Sequence, residues 1–82
     1  MQLARTSKQI GNEIRRQRKR LKLTQSALGE KVGLRQATIS EIEAGSSSVK
    51  LDTILRTLGA LNLEFRITDR SGDAMSDIED LL

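Results

Sequence analysis

Arg35 stands just ahead of a short segment with helical apolar spacing, where a helix N-terminus ordinarily takes a small oxygen-bearing side chain. The macrodipole already presents positive charge there, so a guanidinium is welcome only if an anion faces it. Gln36, Thr38 and Ser40 follow with hydrogen-bonding side chains, and Gln25 opens the segment before. Such groups recognise and hold; they do not transfer. The chain has no His and no Cys, and with them go the usual nucleophiles, general bases and thiolate or imidazole metal sites. It has no Gly-rich phosphate loop and no carboxylate pair that its pattern would bring together in a cleft. The residues predict a binding protein, not an enzyme, with no cofactor and no metal.

The charge distribution suggests what is bound. The net charge of +3 divides into a balance of +7 over residues 1–68 and −4 over residues 69–82. A basic body is suited to an anionic partner such as nucleic acid, though a solvated charged surface accounts for charge alone equally well. With 82 residues, 37% of them hydrophobic and Phe65 as the one aromatic, the chain makes a single small domain with a modest core. No disulfide or zinc is there to staple it, which leaves association with another chain as the source of further burial. No apolar run is long enough to span a bilayer and no signal-like segment opens the chain, so the expected location is cytoplasmic, with no membrane partner.

The elements that position these residues follow from periodicity. Proline is absent, so other signals must stop the helices. Thr6 or Ser7 caps a first helix of about 7–22, with Gln9 in capping-box register to Thr6 and Ile10, Ile14 and Leu21 on one face. Thr24 caps a second, short helix that carries Leu28 and Val32 and ends at Gly33. A third runs from about Gln36 to Glu43 with Ile39 and Ile42 inward and closes before Gly45. A serine loop leads to the fourth, whose Leu51, Ile54, Leu55, Leu58 and Leu61 form one apolar face, with Asn62 suited to a left-handed cap. The period then changes to two. Leu63, Phe65 and Ile67 alternate with polar residues in "LEFRIT", predicting one strand at 63–68 with no second strand to pair with it.

Two short helices about a glycine make a helix-turn-helix, whose second helix enters the DNA major groove while the first braces it. Gly29 supplies the small residue required where the helices cross, and Gly33 the positive φ of the turn. A helical hairpin unconnected with DNA shares most of this pattern.

The stretch "LTQSALGEKVGLRQATISEIEAG" resembles the lambda repressor and Cro (XRE) class of helix-turn-helix domains, and residues 10–67 resemble the HipB-type antitoxins within it. The resemblance implies a four-helix lambda-repressor-like domain that binds its operator as a homodimer; with the strand read above, the fold expected is mainly α, four helices followed by one C-terminal strand that pairs across the homodimer. It also implies repression of the protein's own toxin-antitoxin operon and binding of a HipA-type kinase toxin. It puts Gln25 on a DNA phosphate, and Arg35, Gln36, Ala37, Thr38 and Ser40 on the groove-facing side of the recognition helix. Chemistry agrees: Gln pairs with adenine N6/N7, Arg reaches guanine or phosphate, and Ala or a Thr methyl meets a thymine methyl. Lys50, after the serine loop, is a further phosphate contact or else an ordinary surface lysine with Ser48 as the helix cap. Relatives commonly carry Ala at position 29 and a capping Ser or Thr at position 35, so this chain departs at both. Glu41, an acid on the recognition helix, stays outside the contact set.

Arg18 lies on the inward face of the first helix, where a lone guanidinium would be expensive, and the family pattern sets it opposite Glu43 as a structural ion pair. The strand, with Leu63, Phe65 and Ile67 on one face, exposes unpaired backbone that a second copy can cover in antiparallel pairing. The competing possibility is that it folds back on its own helices. A two-fold axis through the ribbon serves DNA as well, predicting an operator that is an inverted repeat in double-stranded DNA. The division expected is a DNA-binding and dimerisation domain at 1–68 and a flexible acidic tail at 69–82, in which "SDIEDLL" carries capping-box spacing and could fold on a toxin. Two other functions fit the chain: a stand-alone phage-type repressor without a toxin, or a helical protein-interaction adaptor.

Overall fold

A computed structural model describes residues 3–69. Four helices follow in order: α1 (Ser7–Arg20), α2 (Gln25–Val32), α3 (Gln36–Ala44) and α4 (Leu51–Ala60). Helix α3 packs on both α1 and α2, and α4 closes the bundle against α2. Ile14, Leu28, Val32, Ile39, Ile42, Leu58 and Leu61 form the buried core, with Ile10, Leu23, Leu34, Val49, Ile54, Ala60 and Leu63 packed around it.

The starts of α1 and α2 are capped as their sequences predict. Thr6 Oγ1 accepts from the Gln9 backbone N–H at 3.0 Å, and Thr24 Oγ1 from the Ala27 N–H at 3.0 Å. Gln9 departs from a strict capping box. Its Oε1 accepts from the Arg5 backbone N–H at 2.6 Å, one residue ahead of the cap. The starts of α3 and α4, at Arg35 and Lys50, have no side-chain cap.

All four helices end in one hydrogen-bonded pattern. A left-handed residue, Lys22, Gly33, Gly45 or Asn62, donates back to the carbonyl three residues earlier. The next residue reaches five back: Leu23 to Arg18, Leu34 to Gly29, Ser46 to Glu41 and Leu63 to Leu58. Helix α1 therefore stops at Arg20, two residues short of the expected end, because Lys22 adopts φ 58°. No sequence signal marks a lysine for that conformation.

Helix α4 corrects the expected packing. Leu58 and Leu61 are buried and Ile54 partly so, but Leu51 and Leu55 are 59% and 40% exposed. Thr57 takes an inward place instead, fully buried with its Oγ1 donating to the Thr53 carbonyl at 2.9 Å. The apolar stripe is thus wider than the surface the single chain offers it.

Residues 63–69 carry no regular structure in the isolated chain. Leu63 packs on the core, whereas Phe65 is 47% and Ile67 90% exposed. The helices of the same chain do not cover these two side chains. The expectations for residues 70–82, including "SDIEDLL", lie outside the described residues.

Candidate nucleic-acid interface

Helix α3 is held from behind by α1 at unusually short range. A Cβ built on Gly11 would stand 2.4 Å from the Ile42 carbonyl oxygen and 2.6 Å from that of Glu43. Only a residue without a side chain lets the two backbones approach so closely. Gly29 does the same on the other side, where a Cβ would lie 2.6 Å from the Leu34 carbonyl oxygen. The small residue expected at position 29 thus makes room for the turn that leads into α3.

The ion pair between Arg18 and Glu43 adds a directional restraint to this packing. Arg18 Nε donates to Glu43 Oε2 at 2.6 Å and Nη2 to Oε1 at 3.0 Å, a two-point fork, while Nη1 donates to the Leu23 carbonyl at 2.8 Å. Both residues are buried, and the hydrogen bonds to Glu43, outweighing desolvation, raise the Arg18 pKa above its already basic ordinary value. One guanidinium therefore ties α1, α3 and the turn after α1 together.

The network continues to the surface. Gln25 Nε2 donates to Glu43 Oε1 at 3.1 Å, and Gln25 Oε1 accepts from Gln36 Nε2 at 2.6 Å. The direction follows from Glu43. An ionised carboxylate only accepts, so Gln25 must turn its NH₂ inward and its oxygen toward Gln36, and Gln36 must answer with its own NH₂. Gln36, exposed at the first turn of α3, then keeps its Oε1 and a second N–H for an outside partner. An acceptor beside a donor is the pair that the N6/N7 edge of adenine complements in the major groove.

The other candidates are less closely tied. Arg35, Ala37 and Ser40 are exposed and Thr38 is partly buried toward the flank of α3. Arg35 sits at the N-cap with extended backbone, φ −73° and ψ 151°, and makes no side-chain cap bond. Its cation thus borders the orphan N–H groups of the helix, an arrangement that favours an anion opposite. Lys50 is exposed at the N-cap of α4 and makes no side-chain cap bond. Ser48 does not cap α4: its hydroxyl lies 2.8 Å from that of Ser46, and its N–H donates to Ser46 Oγ at 3.3 Å. Sequence spacing missed two positioning features: the role of Gly11, and the bonds that Gln25 makes in both directions. The second left no signal in the sequence, since a hydroxyl bridges a carboxylate to an amide as readily as a Gln does.

Comparison with known proteins agrees with the helix-turn-helix fold. The family model HTH_3, described as Helix-turn-helix, matches residues 14–67. The chain is 34% identical over 61 residues to the Antitoxin HipB of Escherichia coli K12, across 74% of this chain and 69% of that protein. It is likewise 34% identical to Antitoxin HipB of Escherichia coli O6:H1, covering 65% of that relative's length. Among solved structures, a HipA-HipB-O2-O3 complex and a HipB-O4 20mer complex each align with a TM-score of 0.78 at 31% identity, over 85% of this chain and 99% of theirs.

Proposed function

Because the chain belongs to the helix-turn-helix family and, within it, to the HipB-type antitoxins, we propose that it binds an operator in double-stranded DNA as a homodimer, represses its own operon and captures a HipA-type kinase toxin. The observation that carries the DNA reading is the chain of bonds from Arg18 through Glu43 and Gln25 to Gln36. It orients an exposed amide at the start of α3 as a reader of base edges would require. The HipB-O4 20mer and HipA-HipB-O2-O3 complexes among the aligned structures support the operator-binding reading. In this reading Gln25 and Arg35 meet phosphate, Gln36, Ala37, Thr38 and Ser40 face bases, and Lys50 adds a phosphate contact.

Homodimerisation rests on the uncovered apolar side chains. Leu51, Leu55, Phe65 and Ile67 are exposed in the single chain, and a second copy pairing its 63–68 segment antiparallel would cover them. Two α3 helices related by that axis would enter successive major grooves about 34 Å apart. Toxin capture rests on the relatives named above and on the HipA-HipB assembly among the aligned structures.

A titration of operator duplex, taken from the DNA upstream of the gene, at several salt concentrations tests the proposal. Affinity should fall linearly in log–log form with salt, with a slope near −0.9 for each phosphate neutralised. Binding that is weak and indifferent to both salt and sequence would refute it. Co-purification with the kinase-like product of an adjacent gene tests the toxin partner.

A further inference from the structure

Glu41 stands in the middle of the outward face of α3. With 3.6 residues per turn, the buried Ile39, Ile42 and Glu43 define the inner face, and Ala37, Ser40, Glu41 and Ala44 make up the opposite, exposed one. Ala37 and Ala44, its neighbours on adjacent turns, end at Cβ, so the Glu41 carboxylate projects past them. Among the described residues no ion pair or side-chain hydrogen bond engages it. A basic domain thus presents an unneutralised acid at the centre of the surface that the proposed function turns toward a polyanion. Against phosphate, or against the acceptors of guanine and thymine, that carboxylate is repelled.

One base edge reverses the sign. Cytosine offers the N4 amine to the major groove with no acceptor of its own beside it, whereas the adenine amine stands next to N7. A carboxylate therefore gains from cytosine and loses, to different degrees, from the other three bases. Resting on the DNA-binding reading above, we infer that Glu41 is a specificity-determining residue: it accepts a hydrogen bond from cytosine N4 in each half-site and discriminates against duplexes that lack one there. Glu41 follows Gln36 by five residues, about 7.5 Å along the helix. The same five residues turn it about 140° around the helix axis, so the two side chains reach different base pairs. The same carboxylate weakens binding to DNA at large, sharpening the contrast between operator and genome.

Selection from a random duplex library with the full-length protein, Glu41→Ala and Glu41→Gln tests this, followed by titration of the wild-type-selected duplex and of a random-sequence duplex. Circular dichroism should show unchanged helix content, since the side chain is exposed. The wild type should enrich one cytosine per half-site, preferred about tenfold or more over other bases. Glu41→Ala should lose that preference while keeping the rest of the motif, and should bind the random-sequence duplex several-fold more tightly. Glu41→Gln should shift the same position toward adenine. If Glu41→Ala enriches the same cytosine and gains equally on both duplexes, Glu41 is only a repulsive charge and the inference is overturned. If the wild type enriches no sequence, the DNA-binding reading itself falls.

Discussion

Gln36 donates to Gln25 at 2.6 Å across the turn between α2 and α3, and Gln25 in turn donates to the buried Glu43. The first residue of the recognition helix is therefore oriented by the first residue of the bracing helix. The resemblance to HipB-type antitoxins implies separate duties for the two, a base for Gln36 and a phosphate for Gln25. The bond between them makes the duties interdependent.

That interdependence can be measured. Gln36→Ala should lose roughly 1 to 3 kcal/mol of discrimination at one operator position, and Gln25→Ala should weaken all sequences while also relaxing that position. A double-mutant cycle on operator affinity should give a coupling of about 0.5 kcal/mol or more. Strict additivity would mean that the bond does not persist in the complex.

The Arg18–Glu43 pair sets the stability prediction. Glu43→Leu strands a buried guanidinium, at a cost of about 3 to 5 kcal/mol in chemical denaturation. Adding Arg18→Met should recover part of the loss, because the remaining buried charge goes with it. A double variant less stable than Glu43→Leu alone would contradict this account. The Arg18 pKa is raised on folding, so its contribution is complete below the unfolded value and is lost only as pH rises through the folded one. Arg18 should therefore add no pH dependence to stability across the neutral range.

Gly11 and Gly59 offer a matched comparison. A methyl group on Gly11 would collide with backbone carbonyls of α3, while one on the exposed Gly59 of α4 meets nothing within 4 Å. Gly11→Ala should destabilise by about 1 to 3 kcal/mol. It should also lower operator affinity by displacing α3. Gly59→Ala should stabilise by up to about 1 kcal/mol through helix propensity. Thermal unfolding of the two proteins side by side decides the matter, and equal midpoints would count against the close approach.

Phe65→Asp tests the dimer. In the proposed ribbon it places a charge at the centre of the shared apolar face, so sedimentation should show mostly monomer at low micromolar concentration, with operator affinity reduced. A fully dimeric variant with unchanged affinity would exclude pairing through residues 63–68.

Much of this molecule could be read along the chain because its signals are local. The oxygens of Thr6 and Thr24 and the left-handed preference of Gly33, Gly45 and Asn62 act within one turn of helix and stand where spacing predicts; apolar spacing likewise places Ile14, Leu28, Ile39 and Ile42 inward, though it also put Leu21 on the inner face of α1, where it is 46% exposed. An arginine on an inward face demands a counter-charge, and the family resemblance, not the spacing, named Glu43 as its source. Lys22 could not be anticipated, since nothing about a lysine requires φ 58°; the direction of the chain after α1 imposes it. Nor could spacing separate Leu51 and Leu55 from Leu58 and Leu61. A periodic stripe states which face is apolar but not how much of it a neighbour covers, and α4 meets its own chain along only part of that stripe. Tertiary structure alone decided how Gln36 is held. The polarity of an amide pair depends on which atoms meet across two helices, and here it descends from a carboxylate, Glu43, that can only accept.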